Sequence, residues 1–134
     1  MGKITKQKRN KLISTKVSFS SQHEHPIFCI RYLDRKYYSL SVCTKEEKAA
    51  FADTLDRLSQ LTCAEISNSS RHGLGYEKMA KKSIRATIPG HLNGDDIIFI
   101  AFRFYGKAPM VGYRKDAIFH ILWIDRDFTL YQHS

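Results

Sequence analysis

The stretch Ala117-Ile118-Phe119-His120-Ile121-Leu122-Trp123-Ile124 is apolar at nearly every position. Both of its faces must therefore be covered, and it reads as a central β-strand. Strand alternation puts His120 on one face with Ile118, Leu122 and Ile124. A histidine where an aliphatic side chain is expected either has a hydrogen-bond partner, as buried polar groups nearly always do, or takes part in chemistry.

Working outward from this strand, Asp125-Arg126-Asp127 reads as a hairpin turn into a last strand, Phe128 to His133, with Tyr131 and His133 on one face. On the other side, Met110 to Arg114 is a shorter strand, bounded by Lys115-Asp116 and by the turn Gly106-Lys107-Ala108-Pro109. Ile97 to Tyr105 precedes it. There Ile98, Ile100, Phe102 and Phe104 share one face, while Phe99, Ala101 and Arg103 share the other, so a charge is aligned with small and apolar neighbours.

The first half of the chain supplies helices. Thr44-Lys45-Glu46-Glu47 is a capping box: the Thr44 hydroxyl can accept from the amide of Glu47 while the Glu47 carboxylate reaches back. Phe51, Leu55, Leu58 and Leu61 continue it as an apolar stripe. Thr62-Cys63-Ala64-Glu65 repeats the signal, so a second, shorter helix is expected from Cys63 to about Ser69. Before the helices, Val17 to Pro26 is polar, and Ile27 to Leu33 and Lys36 to Val42 read as two β-rich runs around Asp34-Arg35, suggesting a hairpin. After them, glycines stop the helix in Arg71-His72-Gly73-Leu74-Gly75-Tyr76-Glu77-Lys78, a loop rich in functional side chains. Residues 79 to 94 are basic and then loop-like, with Lys78, Lys81, Lys82 and Arg85 ahead of Pro89-Gly90 and Asn93-Gly94.

Composition bounds what such a chain can be. At 134 residues it reads as one domain able to bury a real core without a metal or disulfide. The expected division is a flexible basic arm over 1–16 and a single α+β domain over 17–134. The arm holds Lys3, Lys6, Lys8, Arg9, Lys11 and Lys16 and no acid, whereas the rest carries 16 basic residues against 13 acidic ones. Such an arm attracts polyanions through counterion release, or is merely a solvated tail. With no long apolar run and no signal segment, the expectation is a cytoplasmic protein without membrane contact. Three cysteines without CxxC spacing suit reduced, packed thiols. His23 and His25 form an H-x-H pair, fewer than the three or four ligands that zinc takes, so no metal and no cofactor are assigned. G-x-S-x-G, Walker, dinucleotide and H-E-x-x-H motifs do not occur.

The order strand, helix, helix and then a strand meander resembles the RelE/ParE-type toxins. The likeness is carried by Phe99-Ile100-Ala101-Phe102-Arg103-Phe104, Met110-Val111-Gly112-Tyr113-Arg114, Phe119-His120-Ile121-Leu122-Trp123 and the closing Leu130-Tyr131-Gln132-His133. It covers roughly residues 27 to 133. The resemblance implies a helical hairpin packed on a small, curved, mainly antiparallel sheet whose final strands carry the active groups. It further implies an RNA-cleaving activity on free or ribosome-bound RNA, a catalytic arginine, and neutralisation by a protein antitoxin. Residues 79 to 94, the basic arm and the histidine within a central strand depart from the family pattern.

RNA cleavage through the ribose 2′-hydroxyl needs a general base, a general acid and cations for the phosphorane. Histidine suits proton transfer near neutral pH. The candidates are His120, His133 and His72, with Glu77 as an alternative base and Tyr131 as an acid or a stacking ring. Arg103, Arg114 and Lys115 could hold phosphate, as could Lys78, Lys81, Lys82 and Arg85. Arg103 could equally be a cross-strand ion-pair partner, and Tyr131 and His133 could simply cover the sheet. Two other readings stand beside the enzyme. One is a non-catalytic nucleic-acid-binding module in which Tyr113, Tyr131 or Trp123 stacks bases, and the other is a protein-interaction domain.

Overall fold

A computed structural model describes residues 21–70, 73–94 and 96–133. The α+β architecture holds. In chain order the elements are β1 (Ile27–Cys29), α1 (Lys45–Ser59), α2 (Cys63–Ser67), β2 (Tyr76–Ala80), β3 (Ile98–Tyr105), β4 (Ala108–Lys115) and β5 (Ile118–Ile124). They build a five-stranded sheet of order β1-β5-β4-β3-β2. β2 to β5 form an antiparallel meander, and β1 joins β5 in parallel. The sheet is therefore mixed. No helix among the described residues is long and apolar enough to cross a membrane.

Both capping boxes form. Thr44 and Thr62 accept from the amides of Glu47 and Glu65, whose carboxylates accept the Thr44 and Thr62 amides in return. Glu47 also accepts from Arg126 Nε at 2.9 Å, tying the start of α1 to the segment after β5. Burial works against it, but the Thr44 amide and the Arg126 guanidinium hold the Glu47 carboxyl below its ordinary value. α2 has only five residues, so the helical layer is one full helix and a short turn of a second, not a hairpin of comparable arms.

The sheet separates two cores. Phe51, Leu58, Cys63 and Ile66 from the helices pack with Ile100, Phe102, Phe104, Met110, Phe119, Ile121 and Ile124. On the opposite face Phe99, Ala101, Val111, Tyr113, Leu122 and Trp123 are covered by Leu92, Leu130 and Tyr131, with Ile84 and Ile88 packed against them. β3 sorts between the faces as its alternation requires. The burial of β5 on both sides also agrees with its composition. Cys29, Cys43 and Cys63 are all thiols without a disulfide, and burial raises those of Cys43 and Cys63.

Four expectations are corrected. Residues 27 to 42 make no hairpin: after the short β1, the Asp34 carboxylate accepts from the amides of Lys36 and Tyr38 and closes a turn. That local bond competes with strand pairing. Tyr76 to Ala80, read as the end of a loop and the start of another, is an edge strand paired with β3. Phe128 to His133 is not a strand, for a reason set out below. Finally, Gly112 pairs with Ile121 but Val111 pairs with Trp123, so β5 holds one extra residue. This bulge leaves Leu122 and Trp123 with the second core and sends Ile124 to the helix side, away from the face of His120. Gly112 permits it, because a Cβ there would overlap the His120 carbonyl oxygen.

Candidate active-site cleft

The sheet face away from the helices carries a cleft of about 190 Å³ lined by Glu77, Ala101, Arg103, Lys107, Pro109, Phe128, Tyr131, Gln132 and His133. Strand register explains four of these. Glu77 of β2 lies opposite Ala101, Arg103 follows two residues along the same face of β3, and Pro109 of β4 lies opposite Arg103. Ala101 carries only a methyl, so the larger flanking side chains stand around a low floor. Lys107 comes from the β3–β4 turn, where Gly106 adopts φ 59, a conformation that glycine takes without penalty.

The remaining wall is the chain after β5, and Asp125 shapes it. The Asp125 side chain is fully buried and accepts from the amides of Thr129 at 2.9 Å and Leu130 at 3.1 Å, and meets His133 Nε2 at 3.1 Å. A carboxylate removed from water must be satisfied locally, and three donors from the next eight residues do so. This is why the tail curls around Asp125 and does not extend as a strand. Phe128 takes φ 59, left-handed backbone that a bulky side chain rarely adopts. Its ring lies edge-on to His133 at 5.2 Å, and Tyr131 lies 4.0 Å from His133 between centroids. His133 is thus held by a carboxylate on one nitrogen and by two rings.

A second depression adjoins the first through Glu77, Tyr131 and Gln132 and adds Met79, Lys82, Ser83 and Arg85. The Arg85 amide donates to the Leu130 carbonyl at 2.8 Å, fastening this segment to the tail. Together the two depressions set Arg103, Lys107, Lys82 and Arg85 around one carboxylate, Glu77.

Four expected residues, Glu77, Arg103, Tyr131 and His133, thus meet in one place, with Lys82 and Arg85 beside them. Others do not. Lys78 points to the opposite face, paired with Ile100. Lys81 donates to the Leu92 carbonyl at 2.6 Å and serves its own loop. Arg114 lies over Phe119 on the helix side and donates to the Asp116 carbonyl and to Gln22. Lys115 ends β4, exposed, opposite Ile118. His72 and the arm over residues 1 to 16 lie outside the described residues.

His120 is not part of this cleft's lining but lies in a group of rings on the same sheet face. It stacks on Tyr113 at 4.7 Å and 14°, and Tyr32 lies 6.4 Å from it and 4.2 Å from His91. Burial, then His91 and Lys115, push its imidazole below the ordinary value. Its Nδ1 is buried without a hydrogen-bond partner among the described residues. Sequence reasoning missed Asp125, Phe128, Gln132, Lys107 and His91. Asp125 and Lys107 sit in turn-like contexts that conceal them, and His91 follows a Pro-Gly signal that marks only a loop.

No protein-family model, curated protein or solved structure matches this chain.

Proposed function

We propose that this protein is an endoribonuclease that cleaves RNA by acid–base chemistry without requiring a metal. It would be a toxin of the RelE/ParE type, acting in the cytoplasm on free or ribosome-bound RNA and neutralised by a protein partner. The observation that carries the reading is the convergence of Glu77, Arg103, Tyr131 and His133 on one cleft, with a buried carboxylate behind the histidine. In the proposed reaction the Glu77 carboxylate takes the proton of a ribose 2′-hydroxyl, which attacks the adjacent phosphorus. Arg103 and Lys107 hold the charge that grows on the phosphorane oxygens. His133, oriented through Nε2 by Asp125, gives a proton from Nδ1 to the departing 5′-oxygen. Tyr131, 9% exposed, offers little ring surface for stacking, so here its hydroxyl is the useful part. Lys82 and Arg85 hold the flanking phosphates.

The test is incubation of purified protein with RNA in excess chelator, with and without ribosomes. The expected products are cut ends bearing 2′,3′-cyclic phosphate, lost in Glu77→Gln, Arg103→Ala and His133→Ala. A shifted band without cut ends would favour the non-catalytic binding module. Products without cyclic phosphate would remove the 2′-hydroxyl route.

A further inference from the structure

A second group of side chains on the same sheet face is left over once the cleft is accounted for. Tyr113 and His120 lie opposite one another on β4 and β5 and stack, and the outer pair Tyr32 and His91 leans on them. The Tyr113 hydroxyl reaches His91 Nε2 at 3.4 Å. Exposure is graded: Tyr113 is 9% exposed, His120 is half-buried, and Tyr32 at 37% and His91 are exposed. Two cations flank the group. The Arg31 guanidinium lies 5.0 Å from the Tyr32 ring centre, and Lys115 is close enough to disfavour a charge on His120. Neighbouring Ile27 and Ile118, paired across β1 and β5, are also exposed.

We infer that this ring group is a subsite for a base of single-stranded RNA, stacked on Tyr32 and His91 with its phosphates held by Arg31 and Lys115. The inference rests on the RNA-cleaving reading of the cleft and extends it. Exposed aromatic side chains beside cations are what a single strand uses, because every base can stack and every nucleotide carries a charge. The separation of the two places is within reach of one strand. Pro109 lines the cleft and Tyr113 belongs to the ring group, four residues apart on β4, about 13 Å at strand rise. About four stacked nucleotides cover that distance. Residues 84 to 92 cover the same face and join the two places, with Arg85 in the depression beside the cleft and His91 among the rings. The depressed imidazole of His120 fits this role too. Kept neutral beside Lys115 and His91, it supports the outer rings as an aromatic surface and does not serve as a proton donor.

The probe is a fluorescein-labelled single-stranded RNA of about ten nucleotides, bound to full-length protein carrying His133→Ala so that it is not cut. Tyr32→Ala and His91→Ala are each expected to weaken binding by about tenfold. Tyr32→Phe keeps the ring and should keep the affinity. An RNA with abasic positions flanking the cleavage site should bind the Tyr32→Ala and parent proteins equally. Arg31→Ala should reduce the salt slope by about one. Affinity unchanged in both alanine variants, with RNA still bound, would overturn the subsite and leave the cleft reading standing. Equal loss on the abasic strand would overturn base stacking. Failure of the parent to bind RNA at all would overturn both. Melting temperatures of both variants separate a folding defect from lost stacking, and His91, exposed on a loop, is the control should Tyr32→Ala unfold.

Discussion

Two histidines on the same side of the sheet have contrasting neighbours. His133 meets a buried carboxylate, Asp125, at 3.1 Å, and its ring is wedged between Phe128 and Tyr131 at the mouth of a cationic cleft. His120 meets no carboxylate. It is stacked on Tyr113 with one nitrogen buried and a lysine and a histidine nearby. A carboxylate hydrogen-bonded to one ring nitrogen fixes how the His133 imidazole is oriented in the cleft, whereas desolvation and like charge oppose the uptake of a proton on His120. The first environment suits proton transfer, and the second suits a neutral packing ring. The histidine of the regular strand is thus a packed ring, while the histidine that lines the cleft comes from the irregular tail.

The contrast breaks most readily in the rate of cleavage. His133→Ala should lower the single-turnover rate of the folded protein by about 10²- to 10⁴-fold, beyond whatever stability is lost with its bond to the buried Asp125. His120→Ala should instead lower stability, by about 1 to 3 kcal/mol, as a packed ring is lost. Measured side by side, equal losses of rate with both proteins stably folded would dissolve the distinction.

Next in size is the carboxylate behind His133. Asp125→Ala leaves the buried amides of Thr129 and Leu130 without their acceptor, which should cost about 2 to 4 kcal/mol in denaturant unfolding. Cleavage should fall as well, but less than in His133→Ala, because the imidazole is kept and only the group that orients it is lost. A cost below about 0.5 kcal/mol would mean that the tail holds its shape without the bonds to Asp125.

The smallest effect concerns pH. His120 has its folded-state value depressed below 6.5 by burial, His91 and Lys115. Below the ordinary value the unfolded chain therefore binds more protons than the folded one, and stability falls as pH falls. This contribution is complete above about pH 6.5 and is lost progressively below it. Between about pH 7.5 and 5.5 the melting temperature of His120→Phe should drop less steeply than that of the parent. Glu47, also held low, acts in the same direction but through the carboxylate range, so it does not obscure the comparison. Parallel slopes would show that His120 protonates as readily in the folded protein as in the unfolded chain.

How much of this was legible follows from the reach of each interaction. The two capping boxes, the faces of β3 and the coverage of β5 on both sides depend on residues within a few positions of one another, and the sequence alone determined them. Glu77, Arg103, Tyr131 and His133 could be named as reactive types, but not placed together, because Glu77 belongs to a strand that local signals concealed. The bulge opposite Gly112 exists because a carbonyl on β5 needs the space a side chain on β4 would fill. It reversed the expected face of Ile124 without leaving any mark within β5 itself. The tail is the clearest case of tertiary decision. Asp125-Arg126-Asp127 is an ordinary turn in sequence, but burying the Asp125 carboxylate obliges it to gather the amides of Thr129 and Leu130 and the His133 ring, and that requirement prevails over strand pairing for the last residues.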